Sequence, residues 1–590
     1  MNYSNSTDFL VRAALYEEVK SAGSLLVRLQ NLTISLWIEN GKIYALDNRC
    51  PHMGFPLHGS PCKDGIVTCP WHYARFDAAS GGTFDSWADD VRAFPVKVID
   101  GEVWVNLAAS FEPIEHQRQR LTDGLQQGIS LVIAKSTLAL LQLNISPVEP
   151  FQKGLRFGTR YNQAGWGSGL SILTCLMNLL PYLDEIDKPL ALYQGLSAVA
   201  NDSTDTPPRW GVHPLPHQPA LGEESNLVER FKRWFRSFIE VRNAEAAERT
   251  LVSAITAGIN PLEIADILFS AATDHRYLDV GHTVDFINKA LEALDINGWQ
   301  DAELVLGSLV SGLANASRME ESNAWRYPVD LAAMLPVAFD SLPSVLEKGQ
   351  SKRGQWSGQE KLVSILLEDD PQKIIDALLN ALSCGCTEEQ LAGVVAYAAS
   401  LRIAQFNLNN EFSDWDSAHH SFTFAHAVHQ GLRRVNSIEL LRAVFDAAMS
   451  IYLNRFLNIP PARLPSVKES DLKPDELLKQ LPELFDRQQQ VSQAAHLVAS
   501  YLYQKGDAKK LMAMLGKLML RENRDFHVIQ EMEAAFKQYS FLNGSEAGIH
   551  ILVAATRYLA AHAPTRRTSY QTYQIAERLS KGDRLFEAEN

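Results

Sequence analysis

Four residues in two short runs have the types and the spacing of a metal centre. Cys50-Pro51-His52-Met53-Gly54 supplies C-x-H, and after sixteen intervening residues Cys69-Pro70-Trp71-His72 supplies C-x-x-H. Two thiolates and two imidazoles arriving as mixed pairs suit a [2Fe–2S] cluster in which two cysteines hold one iron and two histidines the other. Zinc is the competing reading, since Cys and His also bind it tetrahedrally, but zinc fingers pair Cys with Cys and His with His. Pro51 and Pro70 stiffen the two turns and remove a backbone donor from each. Gly54 permits a backbone angle that few other residues tolerate.

The flanks carry a resemblance. The run CPHMGFPLHGS followed by CPWHYARFDAASG is similar to the cluster loops of Rieske ferredoxins and of ring-hydroxylating oxygenases. The resemblance implies that Cys50 and Cys69 ligate the inner iron and that His52 and His72 ligate the outer one. It also implies a potential toward the lower end of a range of roughly −150 to +300 mV. Cys62 lacks the neighbouring cysteine that respiratory-complex Rieske loops use for a disulfide, which favours the ferredoxin and oxygenase type. Trp71 and Phe76 are expected to cover the cluster from water. Tyr73 is either a donor to a sulfur or ordinary packing, and His58 is surplus to a full ligand set.

Two loops carrying a cluster need a rigid base, and residues 8 to 108 read as one. Phe9–Val19, Leu25–Leu29 and Leu32–Glu39 are strand-like runs, and Asn40-Gly41 is a hairpin signal leading into Lys42–Asp47. Phe94–Ile99, Asp100-Gly101 and Glu102–Leu107 repeat the pattern. This segment resembles the Rieske fold throughout. From about residue 110 the pattern changes: Glu115–Gln127 reads as a polar connecting stretch, and apolar residues then recur at helical spacing almost to the end. The expected fold class is multidomain α+β, an N-terminal all-β module followed by a large all-α helical repeat or bundle region. The expected divisions are 8–108, 109–225 (helical, with the Pro-containing crossing Asn201–Asn226) and 226–590, with another loop over Arg463–Pro474.

The helical part contains a self-similar pair. Leu251–Ala254 with Gly258–Ala265 aligns without a gap on Leu378–Ala381 with Gly385–Ala392, each reading as helix, glycine stop and capped restart. Such duplicated helix pairs stack into a continuous core. His275 and His282 then align with His419 and His426 if residues 402–418 are an insertion. His275, Asp279 and His282, spaced four and three apart, fall on one helical face. His419, His426 and His429 repeat the idea at seven and three, and His527 with Glu531 forms an i, i+4 pair. Taken singly these are helix-start or core histidines; together they form a candidate second metal or substrate site, as in helical bundles that aim His and carboxylate groups inward. Gly281 would interrupt the first of these faces.

Ring-hydroxylating oxygenases carry N-x-x-D-x-x-H and a second His four or five residues later on a sheet-containing domain. Here Asp279-x-x-His282 matches only a fragment, and Asp285 and Phe286 occupy the neighbourhood of the missing His. An ordinary Rieske oxygenase subunit is therefore not expected. The His-starting helices, the run Leu190–Ala200 and the ending His562-Ala-Pro-Thr-Arg-Arg with Ile575–Leu579 resemble the questin oxidase family. That resemblance implies a helical domain performing flavin-independent, Baeyer–Villiger-type oxygen insertion into aromatic polyketides.

Charge and length limit the remaining classes. The chain has 590 residues, a net charge of −14 and six cysteines. The length sets a prior of about four domains. The negative balance argues against nucleic acid and anionic membranes, both polyanionic. So few cysteines form no disulfide framework, and Cys384-Gly385-Cys386 reads as packing sooner than as a redox pair. Met1–Ser6 has no basic and apolar leader pattern, and no apolar run spans a bilayer, so a cytoplasmic location is expected. No nucleotide-binding fingerprint occurs, so reduction of the cluster calls for a separate reductase. Two functions fit: a Rieske electron-transfer module fused to a helical domain doing oxidative chemistry on a small organic substrate, or an electron carrier whose helical part is a partner-docking scaffold.

Overall fold

The computed structural model describes residues 10–108, 113–216, 226–466 and 472–583. The N-terminal part is built from three small antiparallel sheets. β1 (Leu10–Leu15), β9 (Glu102–Asn106) and β8 (Val96–Ile99) form one, in the order β1-β9-β8. β2 (Ser24–Leu29), β3 (Leu32–Glu39) and β4 (Lys42–Asp47) form a meander. β5 (Cys62–Lys63), β6 (Ile66–Thr68) and β7 (Arg75–Asp77) form the third. The hairpin joining β3 to β4 pairs Glu39 with Lys42, and its turn residues Asn40 and Gly41 both take positive φ, as the Asn-Gly signal requires.

Two apolar clusters divide this part by role. Val19, Ile34, Leu36, Val103 and Val105 bind the first two sheets together. Trp37, Leu46, Leu57, Val67 and Phe76 surround Cys50 and Cys69. Along β3, Ile34 and Leu36 enter the first cluster and Trp37, on the opposite face, enters the second. The strand expected over Phe9–Val19 is corrected: Phe9 lies outside the described residues, β1 stops at Leu15, and Tyr16–Ala22 is a helix, α1. Glu17 and Glu18 sit in its first turn, the Leu15 N–H donates to Glu18, and Gly23 at φ 71° ends it.

Glu115–Gln127 is likewise not a connector but lies within helix α2 (Pro113–Gln127), followed by α3 (Ser130–Gln142). The buried positions of α2 are only Arg120, Leu121, Gly124 and Leu125, a stripe too narrow to show in composition. A Cβ at Gly124 would stand 3.0 Å from Ile133, so the glycine lets α2 and α3 approach closely.

The chain forms two compact units, Met1–Pro150 with Ser569–Asn590, and Phe151–Thr568. The first contains the sheets, α2, α3 and most of the helix Thr568–Ser580. The boundaries expected at 108 and 225 thus fall inside these units. The second unit is all helical among its described residues. Its two self-similar segments share a local design. The helix Ala244–Thr256 is followed by Gly258 at φ 82° and by Pro261–Ala272, capped by Asn260 with Glu263. The helix Pro371–Ser383 is followed by Gly385 at φ 94° and by Glu388–Ala404, capped by Thr387 with Gln390. The crossing 204–216 has no regular structure; residues 217–225 of that stretch, and 467–471 of the loop expected at 463–474, lie outside the described residues.

Candidate cluster and metal sites

Cys50 and Cys69 each open a turn closed in the same way. The Cys50 N–H donates to Phe55 O at 2.8 Å and Gly54 N–H returns to Cys50 O at 2.8 Å. The Cys69 N–H donates to Ala74 O at 2.8 Å and Tyr73 N–H returns to Cys69 O at 3.0 Å. Each turn needs a left-handed residue four positions after its cysteine: Gly54 at φ 81° in the first, Tyr73 at φ 63° in the second. The equivalence of the two turns explains how C-x-H and C-x-x-H, unequal in sequence, present matching pairs of candidate ligands.

Both cysteines are buried, and their thiols contact each other. The Cys69 contact and burial push the Cys50 thiol up. The Cys50 contact, with help from the N–H groups of Trp71 and His72, pulls Cys69 down to about 6. The rings of His52 and His72 are 4.9 Å apart at 80°. His52 Nδ1 is buried without a hydrogen-bond partner, and burial, with the Lys135 charge next, draws this imidazole down to about 4. Two facing thiols, two facing imidazoles and an unpartnered buried ring nitrogen fit a [2Fe–2S] cluster. His72 is exposed at the tip.

Of the covering residues, Phe76 is fully buried in the cluster-side core. Trp71 lies 4.3 Å from the His72 ring. Tyr73 is 71% exposed and its role is backbone geometry. Trp87, which no sequence signal singled out, stands 4.7 Å from the His52 ring. α2 fixes the loop carrying it: Arg120 donates to the carbonyls of Ser86 and Ala88 and pairs with Asp89 at 3.2 Å, while His116 Nε2 contacts Asp89 at 2.9 Å. From α3, Lys135 Nζ donates to Pro51 O at 2.5 Å and His52 O at 2.6 Å. Burial lowers that ammonium to about 8. Arg49 donates to Leu579 O and Asp583 O, both at 2.9 Å, joining the first cluster loop to the C-terminal helix of the same unit.

In the helical unit the expected histidine faces are rearranged. His275, Asp279 and His282 do not share a helix: Tyr277, Asp279 and Val280 take left-handed φ of 50°, 47° and 51°, Gly281 takes 100°, and the helix begins at His282. Left-handed backbone at consecutive non-glycine residues, one of them β-branched, is strained. His275 instead pairs with Glu320 and Glu240, each at 2.6 Å. Asp279 exchanges bonds with Ser317, its N–H to Ser317 O at 3.0 Å and its Oδ1 from Ser317 N–H at 2.7 Å. His426 and His429 both contact Gln538, at 3.0 Å. His419 Nδ1 meets Glu531 at 2.9 Å and its Nε2 meets Gln530 at 3.3 Å.

What the fold does bring together is His282, His527 and His420. The ligand atoms of these three lie within 4.8 Å of one another, and the Nε2 atoms of His420 and His527 are 3.2 Å apart. Each comes from a different helix: His282–Asn297, Phe412–Arg434 and Phe526–Phe541. Burial lowers His282 to about 4 and His420 to about 3, so both present neutral nitrogens, the form that binds metals. His527 Nδ1 faces Asp416 at 3.7 Å, and Asp416 accepts from Tyr558 at 3.0 Å. Three imidazoles without a fourth protein ligand among the described residues suit a first-row transition ion with open positions. His420 also lines a cavity of about 400 Å³ with Tyr277, Trp325, Tyr327, Ser421 and Phe456. Sequence reasoning chose His419 over its neighbour His420.

Comparison with known proteins identifies the N-terminal domain. Residues 10–95 match the family described as the Rieske [2Fe-2S] domain, and they are one. Apoptosis-inducing factor 3 of Homo sapiens is 37% identical over 82 residues, 14% of this chain and 13% of that protein. The ferredoxin component of the naphthalene 1,2-dioxygenase/salicylate 5-hydroxylase systems of Ralstonia sp is 26% identical over 98 residues, 16% of this chain and 94% of its own length. Among solved structures, the ferredoxin of carbazole 1,9a-dioxygenase from Nocardioides aromaticivorans IC177 is 24% identical over 17% of this chain and 98% of its own, with a TM-score of 0.16. Among the described residues, no helix is long and apolar enough to cross a membrane.

Proposed function

We propose that this chain is an electron-fed oxidative enzyme in one polypeptide, with His282, His420 and His527 as its second metal site. The observation carrying this reading is the convergence of three imidazoles from three helices beside an aromatic-lined cavity. A bound cluster supplies one-electron transfer, held by Cys50, Cys69, His52 and His72. The likeness to dioxygenase ferredoxin components supports that role and a separate reductase as donor. Fusion raises the effective concentration of carrier and acceptor over that of separate proteins.

In the helical unit, the residues' own contributions are positional. Asp416 faces His527 at 3.7 Å, the Asp279–Ser317 pair holds the turn before His282, and His420 belongs to both the triad and the cavity wall. A small organic substrate in that cavity would stand beside the open positions of a metal held by the triad, against the aromatic rings of Tyr277 and Trp325. The questin oxidase resemblance agrees with oxygen insertion as the reaction class.

The test uses the full chain loaded with iron. Metal analysis is expected to show one ion beyond the cluster, lost in His420→Ala and retained in His419→Gln, with the cluster's spin-resonance signal unchanged in both. Cluster content alone in the wild type, with no substrate-dependent reoxidation of the reduced cluster, would overturn the reading in favour of a carrier with a docking scaffold.

A further inference from the structure

The segments outside the Rieske match reach back to its cluster. The ferredoxin component of Ralstonia sp is covered over 94% of its length by 98 residues, and the domain match ends at residue 95. Lys135 lies beyond that match, on α3, yet its Nζ donates to two carbonyls of the first cluster loop, Pro51 O at 2.5 Å and His52 O at 2.6 Å. Those two residues follow the ligand Cys50, and His52 is itself a ligand. The ammonium is one wall of a cavity of about 300 Å³ that also includes Cys50, Arg49, Asp47 and Asp89. Three carboxylates line the same cavity and offset part of this charge: Asp89, itself paired with Arg120 and His116; Asp90, which accepts from Thr83 N–H at 2.8 Å; and Asp47, which accepts from Arg49 N–H at 3.0 Å.

Charge fixed in such a place has a defined consequence. Reduction adds one electron, so the reduced cluster carries one more negative charge than the oxidised one. A cation held against a ligand loop in a partly desolvated site stabilises the reduced form more than the oxidised. Hydrogen bonding and burial around such clusters are the protein's means of setting potential.

We propose that Lys135 is a positioning residue contributed by the helical extension, which holds the first cluster loop by its two carbonyls and raises the reduction potential of the [2Fe–2S] cluster. This inference rests on the Rieske domain alone and stands whether or not the helical unit binds a metal.

The experiment is a redox titration of the iron-loaded full chain, followed by the spin-resonance signal of the reduced cluster, in Lys135→Gln and Lys135→Arg. Gln keeps a donor for one carbonyl and removes the charge; Arg keeps the charge. The expected result is a tenfold or greater loss in the one-electron equilibrium constant for Gln, a fall of about 59 mV, with Arg shifted by less than a third of that. A Gln variant with full iron content and the wild-type potential would overturn the proposal, as would an Arg variant that falls as far as Gln. Should Gln fail to retain iron, Arg decides: a potential near wild type supports the role of the charge, and a tenfold fall refutes it.

Discussion

Replacing Gly281 by Ala tests whether the turn before His282 is as constrained as its geometry says. Two costs add. Gly281 has φ 100°, and a left-handed position costs an L-residue about 1–2 kcal/mol. Its new Cβ would stand 2.7 Å from Phe424 Cβ and 3.0 Å from the Phe424 ring, contacts that a β-carbon cannot relieve by rotating. Overpacking of this kind costs about 1–3 kcal/mol, so the sum is about 2–5 kcal/mol. Gly258 provides the control, because it shares a positive φ of 82° but has nothing within 4 Å of its Cβ position. Gly258→Ala is expected to show the backbone cost alone, about 1–2 kcal/mol. Urea unfolding of the helical unit, followed by far-UV circular dichroism, reads both, and Gly281→Ala/Phe424→Ala should recover part of the steric share. Gly281→Ala should also weaken metal retention at the triad, since His282 is the next residue. If Gly281→Ala and Gly258→Ala destabilise equally, the close approach to Phe424 is not a real constraint.

Three further outcomes follow from the same geometry. The bond to Glu320 raises the His275 pKa against burial, with Glu240 adding to it, so its stabilisation is present below the ordinary value of 6.5 and is lost as pH rises through the elevated folded value; His275→Gln should flatten that dependence in melting curves taken across this window. Lys289 is fully buried between Glu533 at 2.6 Å and Glu292 at 2.9 Å. Lys289→Met leaves buried carboxylate charge unpaired and should cost about 3–5 kcal/mol in urea unfolding. Tyr73→Gly removes the left-handed strain of the second cluster turn, so Rieske-domain stability should stay level or rise by about 1 kcal/mol, with the cluster retained.

The four candidate cluster residues stood out in the sequence because each pair sits within one tight turn. Spacing of two or three residues, bounded by proline and a left-handed residue, fixes where ligands point before any distant contact forms. The β module was readable for the same reason, through Asn40-Gly41, Asp100-Gly101 and the alternation between them. Other elements escaped: the short strands β5, β6 and β7 between and beside the cluster loops; α1, where acidic capping outweighs strand-like alternation; and α2, whose buried stripe is too narrow to distinguish a helix from a connector.

The histidines of the helical unit show where sequence stops. Successive residues on a helix point about 100° apart, so the choice between His419 and His420 depends on how the Phe412–Arg434 helix is rotated against its neighbours. Packing turned His420 toward His282 and His527 and gave His419 to Glu531. His275 and His282 looked like one face, but the left-handed run ending at Gly281 separates them, and Phe424 helps to hold that break. The sequence by itself determined a Rieske cluster site and a helical remainder. Only tertiary structure decided which imidazoles meet and that a lysine beyond the Rieske domain caps its first cluster loop, because both depend on contacts between segments far apart in the chain.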